Sequence, residues 1–374
     1  MDQKFYIIAG EASGDLHASN LMKAMLEINP ACDFRFWGGD EMSKINSNRV
    51  KHIKELAFMG FVEVLMNLKT ILGNLSFCKK DILAYKPDAI ILIDYPGFNL
   101  RIAEWAKKEG IKVIYYISPQ VWAWKQNRVH TIKKVVDEMY VILPFEKDFY
   151  KKFDYDVTYI GHPLLDAIEQ YKENHSESAF ISKNQLSDSP IIAILPGSRK
   201  QEVSKKLPIM LEAIKQFEGY QFVIAGAPSL DQAYYEPFLK NKPNIRIVYN
   251  QTYDLLSNSE AAVVTSGTAT LETALFEVPE VVCYIGSPIS YLIAKQLIKI
   301  KYISLVNLIM DKEVVKELIQ QECNPSSIAQ ELKQLIKGGL KREKQLEEYR
   351  KLKQLLGGGG ASKQIAQAVL KTNK

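Results

Sequence analysis

Residues 263–276 have the sequence VVTSGTATLETALF, which predicts a buried strand, a glycine turn and the start of a helix. A helix that begins in this way directs free backbone N–H groups and the positive end of its dipole beyond the strand, where they favour phosphate. Glu272, one helical turn inside, can accept hydrogen bonds from neutral hydroxyls such as a ribose diol. The stretch therefore suggests a site for a nucleotide with a sugar, and the alternative is a capped helix without a ligand.

A second turn of the same design precedes it in the sequence. The apolar run 191–195 leads directly into Pro196-Gly197-Ser198-Arg199. The planar guanidinium of Arg199 can hold two phosphate oxygens at once, although a surface turn with a solvated arginine is an equal alternative. Because both turns follow strands of one predicted sheet, together they indicate a nucleoside diphosphate.

The first half of the chain also alternates strands with helical stretches. Its main apolar runs are residues 4–9, 34–39, 88–93 and 112–117, and several end in loops with glycine or proline. Such spacing predicts a parallel, doubly wound sheet that binds ligands beyond the carboxyl ends of its strands. The first loop, Gly10 to Asp15, matches neither G-x-G-x-x-G nor G-x-x-x-x-G-K-[ST], so neither a dinucleotide fingerprint nor a P-loop is supported.

The strand–helix pattern restarts after a polar stretch at about 171–190. We therefore expect an α/β protein of two Rossmann-like, doubly wound domains, with a cleft between their loop faces. The predicted domains are residues 1–170 and 186–345, followed by C-terminal helices over 346–374. The glycines at 357–360 should end one helix, and residues 361–370 can form the last one.

A carboxylate follows the apolar run of residues 89–93. Asp94 should lie at the carboxyl end of a buried strand, where partial desolvation raises its pKa and suits it to general base catalysis. Glu11 and Asp15 of the first glycine loop compete for this role, and a simple turn or capping aspartate is the alternative for Asp94. His17 and His162 could also serve as the base, although a lone histidine is more often a hydrogen-bonded structural residue.

The sequence gives little support for a metal-binding site. The five histidines lack metal-binding spacing, and Asp154-Tyr155-Asp156 lies away from the predicted phosphate turns. We therefore expect no metal and no cofactor.

The composition excludes several functional classes. The 374 residues are 47% hydrophobic and 24% charged, as in ordinary globular domains. The net charge of +5 suits anionic small molecules or an anionic membrane surface, and a dedicated nucleic-acid binder would carry a denser basic stripe. Four scattered cysteines fit reduced thiols in a cytoplasm. We find no signal peptide, and the longest uncharged run, 281–294, is shorter than the roughly 20 residues needed to span a bilayer.

Two stretches have the composition of surfaces that contact lipids. Residues 58–72 are apolar on more than one face, and residues 122–134 combine Trp122 and Trp124 with several lysines and an arginine. Such mixtures bind acyl chains and anionic headgroups. The alternatives are a core helix for the first stretch and a solvated face for the second.

Motifs spread over nearly the whole chain resemble those of the lipid-A-disaccharide synthase family. They are GEASGD at 10–15, MGFVEV at 59–64, DYPGFN at 94–99, residues 118–124, PFE at 144–146, GHP at 161–163, LPGSR at 195–199 and residues 266–272. The resemblance implies a GT-B fold and metal-independent inverting transfer. The implied reaction joins UDP-2,3-diacylglucosamine to 2,3-diacylglucosamine 1-phosphate, giving a β(1→6) disaccharide 1-phosphate and UDP.

The resemblance also implies roles for individual residues. Asp94 would be the base that deprotonates the acceptor 6-hydroxyl, with Glu11 as its competitor and Gly14 and Asp15 as substrate-binding neighbours. On the donor side, the diphosphate would be bound by Gly197, Ser198, Arg199, Ser266, Gly267 and Thr268, and the ribose by Glu272. Asn307 and Gln320 match the family's donor-side segment, although Val306 stands where a proline is expected. The last helix of a GT-B fold crosses back to the first domain.

The expected partners are therefore a UDP-sugar donor, an acylated sugar-phosphate acceptor and the inner face of the cytoplasmic membrane, with no nucleic acid. A homodimer stays open. Another GT-B transferase or a UDP-sugar epimerase would share Arg199 and Glu272 but need no acyl-binding surface. The third possibility is a non-catalytic protein that binds nucleotide sugars or serves as a membrane scaffold.

Overall fold

Uninterrupted apolar runs form the centres of two parallel sheets. In the computed structural model, Ala89–Ile93 and Ile191–Leu195 are buried along their whole lengths, as strands covered on both faces must be. The structure describes residues 3–56, 68–174, 178–240, 242, 244–287 and 300–372. Most of the apolar stretch 58–72 lies outside these ranges.

The first sheet, over the described residues, has seven strands in the order β3-β2-β1-β4-β5-β6-β7, and all its pairings are parallel. The order reverses between β1 and β4, which is the point where doubly wound sheets bind ligands. The strands are β1 (Lys4–Ala9), β2 (Asp33–Gly38), β3 (Arg49–His52), β4 (Ala89–Ile93), β5 (Lys112–Tyr116), β6 (Glu138–Val141) and β7 (Thr158–Tyr159).

Helices cover this sheet. The described ones are α1 (Ala12–Ile28), α2 (Asp40–Ile45), α3 (Leu68–Tyr85), α4 (Pro96–Lys108), α5 (Arg128–Val135), α6 (Glu146–Lys151) and α7 (Pro163–Asn174). The final helix, α16 (Ala361–Thr372), buries Ile365, Ala366 and Val369 in one core cluster with residues of α1 and β1.

The second sheet, again over the described residues, has six parallel strands in the order β10-β9-β8-β11-β12-β13. They are β8 (Ile191–Leu195), β9 (Gln221–Gly226), β10 (Ile245–Tyr249), β11 (Ser259–Thr265), β12 (Glu280–Tyr284) and β13 (Lys316–Ile319). The accompanying helices are α8 (Ser178–Lys183), α9 (Lys200–Ala213), α10 (Gln232–Leu239), α11 (Thr252–Ser257), α12 (Thr268–Leu275), α13 (Leu305–Met310), α14 (Pro325–Leu335) and α15 (Arg342–Leu356). The predicted pair of doubly wound sheets is thus confirmed.

The chain divides into two units around these sheets. The first unit comprises Met1–Asp166 with Gly358–Lys374, and the second comprises Ala167–Gly357. The divisions differ from the expected 170 and 346: one falls inside α7, and the other falls at the glycine run after α15. Helix α15 therefore belongs to the second unit, and α16 belongs to the first.

All four cysteines are buried free thiols. No helix among the described residues combines the length and the apolar character that a membrane span requires.

Candidate active site

Asp94 directly follows β4 in an unusual backbone conformation. Its φ is +43° and that of Tyr95 is +47°, so two consecutive non-glycine residues occupy the left-handed region. Such residues cost about 1–3 kcal/mol each and persist only where the surroundings hold them. The carbonyl oxygen of Asp94 accepts from Asn99 Nδ2 at 2.9 Å and from the Tyr115 hydroxyl at 2.5 Å.

The Asp94 carboxyl is also electrostatically perturbed. Burial, with a smaller contribution from the negative charge of Glu11, raises its pKa from 3.8 to about 7. Glu11 is the N-cap residue of α1, at the end of the loop that leaves β1. The structure therefore brings together Asp94 and Glu11, and it gives the Asp94 carboxyl a pKa near neutrality, which is the range that a general base requires.

Gly10 lets the loop after β1 pack closely against Tyr95, whereas Gly14 in α1 has room for a side chain of ordinary contacts. A Cβ at Gly10 would lie only 2.3 Å from Cγ of Tyr95, so the tyrosine ring occupies that space. A Cβ at Gly14 would lie 3.4 Å from Cβ of Ala9 and 3.6 Å from Ile93 Cγ2. Gly14 therefore lies where α1 packs on the sheet.

The Asp15 carboxylate makes hydrogen bonds within the first unit, and its expected substrate contact stays a prediction. Its Oδ1 accepts from the N–H groups of Gly39 at 2.7 Å and Met42 at 3.1 Å, and its Oδ2 accepts from Glu41 at 3.0 Å. The buried carboxylate thus caps α2, because the first N–H groups of a helix lack partners within it.

The two candidate histidines are buried and neutral at pH 7. Burial lowers the pKa of His17 to about 4, and it lowers that of His162 to about 3. His162 Nδ1 accepts from the N–H of Leu164, one residue into α7. These features fit the expected structural role.

Glu146 is a perturbed carboxyl that the sequence analysis did not single out. It is buried at the start of α6, and burial raises its pKa to about 7. One carboxylate oxygen accepts from the N–H groups of Leu143 at 2.9 Å and Ile142 at 3.3 Å. The signal in the sequence is its place in the PFE motif shortly after β6.

In the second unit, the Gly197 turn connects β8 to α9. Gly197 has φ +113°, a conformation that favours glycine, and a Cβ there would lie 2.5 Å from Glu202 Oε2 and displace that carboxylate. Arg199 is the N-cap residue of α9, and its half-exposed side chain places Nη1 3.7 Å from Glu202 Oε1. The turn thus presents a cation and a helix N-terminus at the carboxyl end of β8.

The turn at residues 266–268 has the same position after β11. Gly267 and Thr268 are exposed at the start of α12. Ser266 is anchored, because its N–H donates to the Cys283 carbonyl at 3.1 Å and its hydroxyl donates to the Ile303 carbonyl at 3.0 Å. As β8 and β11 are neighbours, the two phosphate-favouring turns share one sheet edge.

Glu272 is partly buried in the first turns of α12. Burial raises its pKa, and a hydrogen bond from the Tyr253 hydroxyl to Oε1, at 3.2 Å, opposes the rise. The carboxylate is an acceptor suited to hydroxyl groups.

Asn307 is fully buried and makes hydrogen bonds within the fold, and its expected ligand role stays a prediction. Its Nδ2 donates to the Val315 carbonyl and to Glu317 Oε1, both at 2.9 Å, and its Oδ1 accepts from the N–H groups of Val314 and Val315. The hydrogen bonds of the side-chain amide therefore connect α13 to β13 and to the residues just before it.

Gln320 directly follows β13, with φ +53°. Its side-chain oxygen accepts from the Gly286 N–H at 2.7 Å, which ties it to the loop after β12. Among the described residues, no group of three or more histidine, cysteine or acidic side chains could hold a metal ion.

Comparisons with known proteins extend over both units. The relative from Syntrophus aciditrophicus, a lipid-A-disaccharide synthase, is 41% identical over 96% of this chain and 95% of its own. The one from Trichlorobacter lovleyi, of the same name, is 39% identical over 98% of this chain and 97% of its own. The solved structure of a UDP-GlcNAc 2-epimerase from Neisseria meningitidis aligns with a TM-score of 0.69 at 15% identity, covering 99% of this chain and all of that one.

The structural likeness bears on the fold alone, and it supports the GT-B architecture that two doubly wound units predicted. The sequence likeness bears on the family. The family model described as lipid-A-disaccharide synthetase matches residues 5–371, and with relatives at 39–41% identity over nearly the whole chain, this protein belongs to that family.

Proposed function

We propose that this enzyme joins UDP-2,3-diacylglucosamine to 2,3-diacylglucosamine 1-phosphate, and that Asp94 is its general base. The observation that carries the residue assignment is the Asp94 carboxyl, held at the end of β4 by a left-handed backbone with a pKa of about 7. A base with that pKa is ionised often enough at neutral pH and is still strong enough to take a proton.

In the proposed reaction, the acceptor 6-hydroxyl oxygen attacks the anomeric carbon as its proton passes to Asp94. The bond between that carbon and the diphosphate oxygen breaks on the opposite face, and UDP leaves with the electron pair. The configuration at the anomeric carbon is inverted. This account gives a β(1→6) disaccharide 1-phosphate and UDP.

The leaving diphosphate needs positive charge and hydrogen-bond donors. Arg199 supplies the guanidinium, and the N-termini of α9 and α12, with Gly197, Ser198, Ser266, Gly267 and Thr268, supply backbone N–H groups. In this proposal they offset the charge that a divalent ion offsets elsewhere. Glu272 accepts from the ribose hydroxyls, and Gln320 supports the donor side through the loop at Gly286.

Glu11 has a secondary role in this proposal. Its negative charge helps to raise the pKa of Asp94, so it strengthens the base without itself taking the proton. Replacing Glu11 by Gln should therefore lower the pH at which activity appears, whereas replacing the base itself should remove activity.

The decisive experiment compares Asp94→Asn with wild type in two assays. We expect the variant to form disaccharide about 10²–10⁴ times more slowly, the range for a lost general base. UDP binding, measured by calorimetry, should be unchanged. Full turnover by the Asp94→Asn variant would show that Asp94 is not the base. If wild type did not turn over the acylated substrates, the proposed reaction would be refuted.

We also propose that the enzyme associates peripherally with the cytoplasmic face of the inner membrane. In the first unit, α3 exposes Leu72, Phe77 and Leu83, which are 57%, 49% and 48% accessible. Trp124 is exposed as well, with Lys125 Nζ 4.4 Å from its ring centroid and Arg128 at 5.8 Å. Apolar side chains beside cations suit an interface with acyl chains and anionic headgroups.

A further inference from the structure

Tyr253 contacts the carboxylate proposed to bind the ribose. It lies in α11, shortly after β10, and its hydroxyl donates to Glu272 Oε1 at 3.2 Å. β10 and α11 precede β11 and α12, which carry the phosphate-favouring turn. Glu272 is therefore contacted by a residue from a different strand–helix unit.

Aromatic packing fixes the Tyr253 ring. Its centroid lies 5.1 Å from that of Phe276 and 5.5 Å from that of Tyr171. Phe276 follows Glu272 by four residues, so both side chains lie on one face of α12. The ring that donates to Glu272 is therefore packed against the same helix face.

The third ring of this cluster is fixed in turn. The hydroxyl of Tyr171 donates to Asp254 Oδ1 at 2.7 Å, one residue beyond Tyr253. Its ring centroid also lies 5.7 Å from that of Phe276. Tyr253 thus has little freedom to swing its hydroxyl away from Glu272.

We propose that Tyr253 is a positioning residue that sets the preference of the donor site for ribose. By holding Oε1 of Glu272, it fixes the carboxylate plane and leaves Oε2 directed at the sugar hydroxyls. A carboxylate fixed in this way distinguishes a vicinal diol from a single hydroxyl, because a site built to hydrogen-bond a hydroxyl rejects analogues that lack it. The inference rests on the proposed role of Glu272.

The test compares binding of UDP and 2′-deoxy-UDP by calorimetry to wild type, Tyr253→Phe and Glu272→Gln. Tyr171→Phe is the matched control, since it removes a hydroxyl from the same cluster. We expect wild type to prefer UDP by about tenfold, the equivalent of one hydrogen bond to a charged group. Tyr253→Phe should reduce that preference by about threefold, and the donor KM should rise while kcat stays within about twofold.

The outcomes separate the two proposals. If Glu272→Gln keeps the full preference for UDP, Glu272 is not the ribose ligand and the donor-site assignment fails. If Glu272→Gln loses the preference and Tyr253→Phe keeps it, only the role of Tyr253 is overturned. An equal loss in Tyr171→Phe would also overturn it, because the effect would then belong to the cluster. Both tyrosine variants keep their rings, and equal melting temperatures would verify their folding.

Discussion

The backbone N–H of Ser198 donates to Oε2 of Glu202 at 3.3 Å. A carboxylate from the protein itself thus lies on the Gly197 turn, beside the Arg199 guanidinium. These are the N–H group and the cation that we propose for the diphosphate. An entering diphosphate would therefore compete with a negative charge that is already present.

Replacing Glu202 by Gln should strengthen UDP binding. The amide keeps the size of the side chain and an acceptor for Ser198, but it removes the repulsion toward phosphate and frees Arg199. We expect the Kd for UDP to fall by about threefold, in keeping with a half-exposed ion pair. Calorimetry at low salt would measure it.

The matched control is Glu212→Gln on the same helix, where the carboxylate pairs with exposed Lys215. It should leave the Kd unchanged. Weaker UDP binding by the Glu202 variant would mean that this carboxylate orients Arg199 for the ligand.

The pH dependence of the rate should follow Asp94. Because the ionised carboxylate is the active form, the rate should rise with pH through about 7 and level off above it. Burial also raises the pKa of the Glu146 carboxyl to about 7, so a Glu146→Gln variant must be compared. An unchanged profile in that variant would assign the titration to Asp94, and a lost inflection would assign it to Glu146.

Stability should vary with pH in the opposite sense. The pKa of Asp94 is raised on folding, so its contribution is most favourable below about pH 4 and is lost as pH rises through about 7. An asparagine cannot ionise and avoids this loss. Asp94→Asn should therefore melt about 2 °C or more above wild type at pH 8, with a much smaller difference at pH 4. Equal melting temperatures at pH 8 would contradict the raised pKa.

Asn307→Ala should destabilise the second unit instead of weakening UDP binding selectively. The change removes four hydrogen bonds and leaves buried partners unsatisfied, at a cost of about 3 kcal/mol. Denaturant unfolding would measure the loss. Asn258→Ala, which removes a bond from Nδ2 to the Asp254 carbonyl, should cost about 1 kcal/mol or less. A stable Asn307 variant that fails to bind UDP would instead support the predicted role of Asn307 as a ligand-binding residue.

The exposed apolar side chains of α3 should determine binding to vesicles. We expect the combined change of Leu72, Phe77 and Leu83 to serine to weaken cosedimentation with anionic phospholipid vesicles by about tenfold or more. Leu340→Ser is the control, because that leucine is 90% exposed in the second unit. An equal loss in the control would show that exposed leucines in general, and not those of α3, account for the binding.

The sequence predicted the central strands well, for a physical reason. Strands buried on both faces need apolar residues throughout, as in Ala89–Ile93 and Ile191–Leu195. The apolar pattern did not indicate β3 and β13, which have the sequences RVKH and KELI. Among the described residues, both are edge strands that pair on one side, where charged residues are tolerated and also discourage pairing with other chains.

The residues of the candidate site also differ in how far the sequence could predict their positions. Asp94, Arg199 and Glu272 lie directly after strands or in the first turns of helices, so their places at the sheet edges follow from local patterns. The partners of Asp15 lie 24 to 27 residues away on α2 and just before it, and no local pattern shows that its carboxylate points there. The same applies to Asn307, because the hydrogen bonds of its side-chain amide depend on how α13 packs beside β13.

The carboxylate of Asp166 caps α16 across 194 to 196 residues of chain, accepting from the N–H groups of Gly360, Ala361 and Ser362. The second unit is therefore a continuous insertion within the first. During synthesis, the whole of Ala167–Gly357 leaves the ribosome before the helix that completes the core around α1. The unit that begins the chain should thus finish folding last, and translation stalled before residue 358 should yield a protease-resistant second unit beside a first unit that is still open to cleavage.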